Sequence, residues 1–307
     1  MACSLILCRL LRTIMSKPSQ QTDDTPAPII ESVLHPTDFS EGSRVAFHHA
    51  LKAALLAKSR LTLVHVSPEV TTQWNDFPGV RETLERWGLL PKGSPKSAVG
   101  QLGIEVRKVV AEEADPVEAV LRYLKRHPAD LIVLATHQRE GRARWLGKSV
   151  AEPVARRAAQ MTLFIPGDSP GFVSEDNGSV SLSRVLIPIA NSPRPQPAIE
   201  AAARVVKRMN CPEGAFTLLH VGQASTMPAV RCPEVPGWSW KKELRNGDVI
   251  QSIVDAAGES DLIVMATDGR NGFLDGLRGS HSERVLRICD APLLTIPVGS
   301  FAADNLG

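Results

Sequence analysis

A glycine-bearing loop is the part of this sequence best suited to bind a ligand. It follows the apolar run DLIVMAT and, counted from Ala266, has the spacing Ala-x2-Gly-x9-Gly-Ser, with Gly269 and Gly279 as its two glycines. Glycine has no Cβ and adopts positive φ readily, so backbone N–H groups can converge on an anion there. A helix that follows the loop adds free N–H groups and the positive end of its dipole. The spacing therefore predicts a phosphate site that ends at Ser280.

Two other interpretations of this loop stand beside phosphate binding. Ser280 begins a capping box, a serine followed three residues later by glutamate, and Ser149 begins another in a similar stretch. Each serine would cap its helix without any ligand. The stretch GRARWLGKS also resembles a P-loop, but that motif has four residues between its glycines, whereas five separate Gly141 from Gly147. A P-loop is therefore disfavoured.

The loop occurs twice because the chain repeats itself. Residues 130–166 align without a gap on residues 261–297, and the segments VLHPTDFSEGS and LTLVHV of the first half match VLIPIANSPRP and FTLLHV of the second. This self-similarity indicates a tandem duplication. A segment rich in Gly, Ser, Pro and acidic residues lies between the halves, as is typical of a linker. We predict a disordered leader, a first domain, a linker, a second domain and a tail, at residues 1–29, 30–167, 168–182, 183–299 and 300–307.

Short apolar segments alternate with helical patterns in each half, and this alternation predicts the fold class. SVLHP, LTLVHV, IEVRKVV, DLIVLAT and MTLFIP have the length and composition of buried strands. A helical pattern between IEVRKVV and DLIVLAT begins at Pro116, with Asp115 as its predicted N-cap. Such alternation forms a parallel sheet with right-handed crossovers. We expect an α/β protein of two doubly wound, Rossmann-like domains, each with a mainly parallel sheet of about five strands flanked by helices.

The composition disfavours several classes of protein. Apolar residues make up 43% and charged residues 22%, which is typical of soluble globular domains, and the net charge of +2 is too small to indicate a nucleic-acid partner. The apolar start MACSLILCRLL is too short to span a bilayer, so we expect no membrane association, with Met15 as a hypothetical alternative start. The five cysteines are scattered and no cluster has metal-ligand spacing. We expect free thiols, no metal site and a cytoplasmic location.

The chain resembles the universal stress protein family in its tandem two-domain form. DLIVMATDGRNGFLDGLRGSHSERVL fits the family's strand, Gly-x2-Gly-x9-Gly-Ser/Thr loop and helix, except that Ala266 replaces the first glycine. HPTDFSEGS supplies Asp38, which matches the family's aspartate after the first strand. The resemblance implies a fold like that of the adenine nucleotide alpha hydrolases. In those members that bind ATP, it also implies a nucleotide pocket at the carboxyl edge of the sheet.

The resemblance further implies which residues would bind the nucleotide. The glycine loop would hold the phosphates, while the aspartate and a valine at the end of the second strand would contact adenine and ribose. The expected binding residues are Ile189, Val221, Ala266, Gly269, Arg270, Gly279, Ser280 and His281 in the second domain, and Thr37, Asp38, Val66 and Ser149 in the first.

Neither half matches the family's pattern in full. The first keeps Asp38 but has Gln138 and Lys148 in place of the two loop glycines, whereas the second keeps the glycines but has Ala190 in place of the aspartate. Losing the hydrogen bond of that aspartate would weaken binding by about tenfold to a hundredfold. We therefore expect ATP to bind mainly to the second domain, with Mg²⁺ as a companion that would offset the charge of Asp268 near the phosphates.

These expectations add up to a stress-response protein that binds ATP or a related adenine nucleotide and regulates rather than catalyses. The halves would pack as an internal pseudo-dimer, and a homodimer is a further option. One alternative is a scaffold with vestigial pockets that bind no nucleotide. A second is a weak ATPase or an adenylyl-transferring enzyme, although no set of nucleophile, base and orienting group and no His-x-Gly-His signature occurs in the sequence.

Four aromatic or imidazole side chains and one segment have lesser roles in this interpretation. His65 and His220 end matching strands and are expected to be structural. Trp238 and Trp240 are expected to pack or to form an interface, with base stacking as the alternative. The segment WNDFPGVRETLERWGLL predicts a short helix that covers the pocket or a partner surface of the first domain.

Overall fold

The computed structural model describes residues 30–68, 72–136, 150–267 and 281–298, with the backbone alone for 281–283. Within these ranges ten strands form one sheet. They are β1 (Ser32–Pro36), β2 (Arg60–Ser67), β3 (Glu105–Glu112), β4 (Leu131–Thr136), β5 (Met161–Pro166), β6 (Arg184–Pro188), β7 (Gly214–Val221), β8 (Trp238–Arg245), β9 (Leu262–Thr267) and β10 (Leu293–Pro297).

Helices follow most of the strands. They are α1 (Glu41–Ala57), α2 (Val80–Arg86), α3 (Ala98–Gln101), α4 (Pro116–Arg126), α5 (Ala151–Ala158), α6 (Gln196–Arg208), α7 (Val249–Ala257) and α8 (His281–Ile288). The predicted start of α4 is confirmed, because the Asp115 carboxylate accepts hydrogen bonds from the backbone N–H groups of Val117 and Glu118 at 2.9 and 3.3 Å. The second half has only a 3₁₀ turn, Ala224–Thr226, where the first has α2 and α3.

The two halves form an internal pseudo-dimer through one antiparallel contact. The strand order is β3-β2-β1-β4-β5-β10-β9-β6-β7-β8, and every pair within a half is parallel. At the centre β5 and β10 run antiparallel, with Leu294 opposite Leu163 and Thr295 opposite Thr162. The expected fold class, two doubly wound α/β domains with five-stranded parallel sheets, is confirmed. Its two sheets are joined into one.

Both faces of the sheet are covered, which explains why its inner strands are apolar at most positions, whereas the edge strands β3 and β8 contain many charged residues. One core lies between the sheet and α1, α2, α3 and α6. It includes Phe47 of α1 and Phe216 of β7, which are both fully buried. The other contains residues of α4, α5, α7 and α8, including Val154 and Val285. In the described part of the chain, no helix has both the length and the apolar character needed to cross a bilayer.

The segment between the halves is folded against the first half. We call residues 167–183 the strap. Phe172 and Val173 are buried in the strap, and their backbone N–H groups donate to Nε2 of His49 on α1 at 3.0 and 3.2 Å. Trp87 donates from Nε1 to the carbonyl of Glu175 at 2.9 Å. The strap is therefore packed in place, while the domain bounds predicted from the sequence stay a prediction.

An aspartate just before the fourth strand of each half binds the start of the first strand of that half. Asp130 accepts from the backbone N–H groups of Glu31 and Ser32, both at 2.9 Å. Asp261 accepts in the same way from Ser183 and Arg184, at 2.8 and 2.9 Å, and its other oxygen pairs with the Arg184 guanidinium. Partial burial opposes ionisation of Asp261, but the hydrogen bonds of its partners hold the pKa of this carboxyl below its usual range.

Replacing Asp261 should therefore lower the stability of the ligand-free protein. We expect Asp261→Ala to lower the free energy of unfolding by about 2 kcal/mol or more, because two backbone N–H groups lose a charged acceptor. Asp255→Ala is the control, since that exposed carboxylate accepts a hydrogen bond from Gln251 of its own helix and, among the described residues, from no backbone N–H of a strand. Urea denaturation measures both, and equal losses in the two variants would contradict the assignment.

Acid should also destabilise the fold, through three buried histidines near α1. Burial lowers the pKa of His35 and of His49 to about 4, and burial together with the nearby Arg86 lowers the pKa of His48 to about 4. The unfolded chain takes up these protons near pH 6.5, so it binds more protons than the folded chain at lower pH. Stability should be full above about pH 6.5 and fall as the pH drops towards 4.

The slope of this loss identifies its source. Each histidine contributes up to about 1.4 kcal/mol per pH unit, so His49→Gln should make the dependence of the unfolding free energy on pH shallower. His127→Gln, at an exposed position, should leave the slope unchanged. Urea midpoints measured from pH 7.5 to pH 4.5 test this, and a flat profile in the unmodified protein would exclude it.

Candidate functional site

The sheet opens at one place in each half. β1 lies between β2 and β4, so the chain reverses its direction of strand addition at β1, and ligands of such sheets bind in the crevice beyond the carboxyl ends at this point. Five residue pairs join β1 to β2, but only Val33–Leu131 and Leu34–Ile132 join β1 to β4. The β1–β4 pairing thus stops at Leu34–Ile132, although the two strands continue to Pro36 and Thr136. The carboxyl ends of the strands therefore border a crevice.

The second half has the same opening between β6 and β9. Only Val185–Leu262 and Leu186–Ile263 pair there, although β6 continues to Pro188. The residues that follow, Ile189 and Ala190, therefore lie at the mouth of the second crevice. The two crevices are equivalent in the backbone and differ in their side chains.

In the first half, Thr37 and Asp38 belong to a chain of hydrogen bonds that begins α1. Thr37 is buried, and its hydroxyl accepts from the hydroxyl of Ser43 at 3.0 Å. Asp38 is exposed, and its Oδ1 accepts from the backbone N–H and the hydroxyl of Ser40 at 3.0 and 2.6 Å. Ser40 in turn caps α1 by accepting from the N–H of Ser43. The expected ligand residue Asp38 thus also has a structural role.

Three rings pack together beside Asp38, and we call Phe39, His65 and Phe77 the aromatic cluster. The Phe39 ring stacks on His65, with centroids 4.1 Å apart and planes at 21°, and meets the edge of Phe77 at 5.4 Å. His65 is fixed by its Nδ1, which donates to the carbonyl of Thr37 at 2.8 Å. Val66, an expected adenine contact, is the half-buried residue that follows His65. Sequence analysis missed Phe39, whose only signal was its position next to Asp38.

In the second half, the corresponding edge is apolar and contains no such ring stack among the described residues. Ile189 and Ala266 are buried, and Val221 is half-buried at the end of β7. His220 donates from Nδ1 to the carbonyl of Ile189 at 3.1 Å, and its Nε2 lies 3.0 Å from the Thr226 hydroxyl. The structure thus places three of the expected contacts, Ile189, Val221 and Ala266, at one edge of the sheet.

The phosphate half of the expected site falls largely outside the described residues. Gly269, Arg270, Gly279, Ser280 and Ser149 lie outside them. His281 is the first residue of α8, so a helix does follow the loop as the spacing predicts. α5 begins at Ala151, with Val150 at its N-cap position. Phosphate binding by these residues stays a prediction.

The remaining aromatic residues of the sequence analysis are structural. Trp238 donates from Nε1 to the carbonyl of Cys211, and Trp240 donates to the carbonyl of Pro233 and stacks on Phe216 at 4.1 Å. The predicted short helix exists as α2, and Trp87 after it lies over Lys52 and His48 of α1. The segment therefore covers α1, and it reaches the crevice only through Phe77.

The described residues offer neither a metal centre nor an activated thiol. They contain no group of three His, Cys, Asp or Glu side chains close enough to share an ion. Burial raises the pKa of the Cys211 thiol and, together with Asp290, raises that of Cys289 to about 12. Thiols with raised pKa values are poor nucleophiles at neutral pH.

Comparison with known proteins points to one family, both by sequence and by fold. The model of the universal stress protein family matches residues 30–166 and 229–297. No curated protein matches the sequence. A solved universal stress protein from Archaeoglobus fulgidus DSM 4304 covers 87% of this chain and 96% of its own length, at 19% identity and a TM-score of 0.56. A putative universal stress protein from Pseudomonas aeruginosa UCBPP-PA14 covers 87% and 93%, at 12% identity and a TM-score of 0.53. At these identities the likeness shows the fold.

The capping role of Asp38 can be separated from any role in binding. We expect Asp38→Ala to lower the free energy of unfolding by about 1 kcal/mol in ligand-free protein, because Ser40 loses its acceptor at the start of α1. Asp38→Asn keeps an acceptor oxygen and should cost less. Urea denaturation of both variants tests this, and an unchanged midpoint for Asp38→Ala would show that the hydrogen bonds to Ser40 add no stability.

Proposed function

The chain belongs to the universal stress protein family, and we propose that it is a stress-response protein that binds ATP or a related adenine nucleotide. The second domain would be the main site, and the role would be regulatory. The observation on which this proposal rests is the early end of the pairing between β6 and β9. The strand ends beyond it are followed or bordered by small and apolar residues, and the sequence with the family's glycine spacing comes directly after β9. The family membership favours an adenine nucleotide as the occupant.

The residues at this crevice fit the apolar part of such a ligand. The half-buried Val221 offers apolar surface of the kind that lies against a base, whereas Ile189 and Ala266 are small or apolar residues that are already buried. The backbone N–H of Ile189 is already used, since it donates to the carbonyl of Leu219 at 2.8 Å. Ala190 offers no polar side chain where the family has its aspartate. The adenine side can therefore supply shape and apolar contact, with fewer hydrogen bonds than the family pattern.

The phosphates would supply the rest of the binding energy. In the proposed complex, backbone N–H groups at Gly269 and Gly279 bind phosphate oxygens. Ser280, His281 and the start of α8 bind the terminal phosphate groups of the nucleotide, and Arg270 adds positive charge. Mg²⁺ would offset Asp268, and the described residues provide no centre of their own for it. We also propose a cytoplasmic location and domain bounds of 30–167 and 183–299.

A scaffold with vestigial pockets is the second candidate function. The loss of the aspartate at Ala190 and the ring stack beside Asp38 favour it. In that case the pseudo-dimer itself would be the functional unit, and its surfaces would bind other proteins. The two candidates differ in one measurable property, which is whether the native protein retains a nucleotide.

Nucleotide retention and affinity test the proposal directly. We expect denaturation of freshly purified protein to release an adenine nucleotide that mass spectrometry identifies. We also expect Gly279→Gln to weaken ATP binding in calorimetry by about tenfold or more, because a side chain would enter the phosphate site. Lys148→Gln, at the equivalent position of the first domain, is the matched control and should bind as the unmodified protein does.

Two outcomes would contradict the proposal in different ways. If no nucleotide is released and no ATP binds, the scaffold function replaces it. If Asp38→Ala abolishes binding while Gly279→Gln retains it, the site belongs to the first domain.

A further inference from the structure

Phe39 has a backbone conformation that its side chain does not favour. Its φ is 62°, in the left-handed region that glycine, asparagine and aspartate adopt far more readily than a bulky residue. Outliers of this kind persist where surrounding contacts hold them, and they concentrate at functional sites. Phe39 is held by the stack of its ring on His65 and by its backbone N–H, which donates to the Thr37 hydroxyl at 3.2 Å.

Separate elements build the surroundings of that stack. His65 comes from the end of β2 and is bound to the carbonyl of Thr37, while Phe77 comes from the segment before α2 and is itself buried. Lys108 of β3 places its Nζ 5.6 Å from the centroid of the Phe77 ring and donates to the carbonyl of Trp74. The aromatic cluster is therefore supported on several sides, and the Phe39 ring, which is 36% exposed, is its outermost member by exposure.

The second half keeps the histidine of this arrangement but neither of its two phenylalanines. Asn191 occupies the position equivalent to Phe39, and its side chain donates to the carbonyl of Thr226 at 3.2 Å. The imidazole of His220, equivalent to His65, meets the Thr226 hydroxyl where His65 meets a ring. The segment that supplies Phe77 has no counterpart, because only the turn Ala224–Thr226 follows β7. One half thus has a stacked ring over its histidine and the other does not.

The first crevice nevertheless retains groups that a polar ligand could use. Asp38 is exposed at its mouth. The hydroxyl of Thr136, at the carboxyl end of β4, is buried and has no hydrogen-bond partner among the described residues. A buried hydroxyl without a partner is costly, and a ligand is one way to satisfy it. The crevice is therefore bordered by an exposed carboxylate and a buried hydroxyl, and the Phe39–His65 stack lies beside the carboxylate at the end of β2.

We propose that Phe39 is a built-in lid that occupies the base position of the first domain, so that an adenine base enters this crevice only when the ring is removed. This proposal depends on the proposed function in one respect, which is that the ligand's base is adenine. It explains why a domain that keeps Asp38 would still leave nucleotide binding to its partner domain. Phe39 is thus a residue that determines specificity between the two halves.

The test opens the lid in a protein whose second site is disabled. Phe39→Asn, which installs the residue of the second half, and Phe39→Gly are made in the Gly279→Gln background. Both residues adopt positive φ readily, so the backbone of the loop is preserved. Adenosine is the titrant in calorimetry, because it needs no phosphate site. We expect both variants to bind adenosine at least about tenfold more tightly than the background protein, and adding Asp38→Ala to remove the gain.

Trp74→Ala in the same background is the matched control. It removes a ring that is 63% exposed and packs on Phe77, and it should produce no gain in adenosine affinity. Circular dichroism and urea midpoints report whether each variant is folded.

Three results would overturn the proposal. The first is unchanged adenosine affinity in folded Phe39 variants. The second is Asp38-dependent adenosine binding in the background protein with Phe39 in place. The third is unfolding of both Phe39 variants, which would make Phe39 a core residue. None of these depends on whether the second domain binds ATP, so failure of the lid and failure of the proposed function can be told apart.

Discussion

The antiparallel pairing of β5 with β10 is the constraint on which the arrangement of the whole molecule depends. It joins two parallel sheets into one and leaves neither half with an exposed central edge. Because the strands of one half run opposite to those of the other, the carboxyl ends of the two halves lie at opposite edges of the shared sheet. The two crevices therefore cannot contribute to one ligand site. Any ligand site at one crevice must therefore be formed by residues of that half alone.

This separation explains how the halves can differ so much in their sites and so little in their scaffolds. Both retain the aspartate that binds the first strand, as Asp130 and Asp261, because its loss would expose backbone N–H groups in either half. The residues at the crevice mouths do not bind the backbone of a strand in this way. Asp38 and Phe39 in one half correspond to Ala190 and Asn191 in the other, and neither pair is needed for the strands to form.

The sequence predicted the features that depend on neighbours along the chain. Parallel strands buried on both faces are rich in apolar residues, and a helix needs a cap, so β1 to β5 and the Asp115 cap could be recognised from composition and spacing alone. Features that depend on distant neighbours were not recognised. The stack of Phe39 on His65 joins the loop after β1 to the end of β2, and the strap has the polar composition of a linker although Phe172 and Val173 are buried. Periodicity contains no information about such contacts.

The strap leaves almost no free chain between the halves. Leu182, near its end, is buried, and β6 begins at Arg184, where Asp261 binds the backbone. The link between the buried end of the strap and the first strand of the second half is thus about one residue long. Such a link is too short to behave as a flexible linker. Hinge motion between domains requires residues whose φ and ψ are free to change, and here those residues are engaged. A signal generated at either crevice would therefore reach the other half through the common sheet, as a change of strain in a single continuous element.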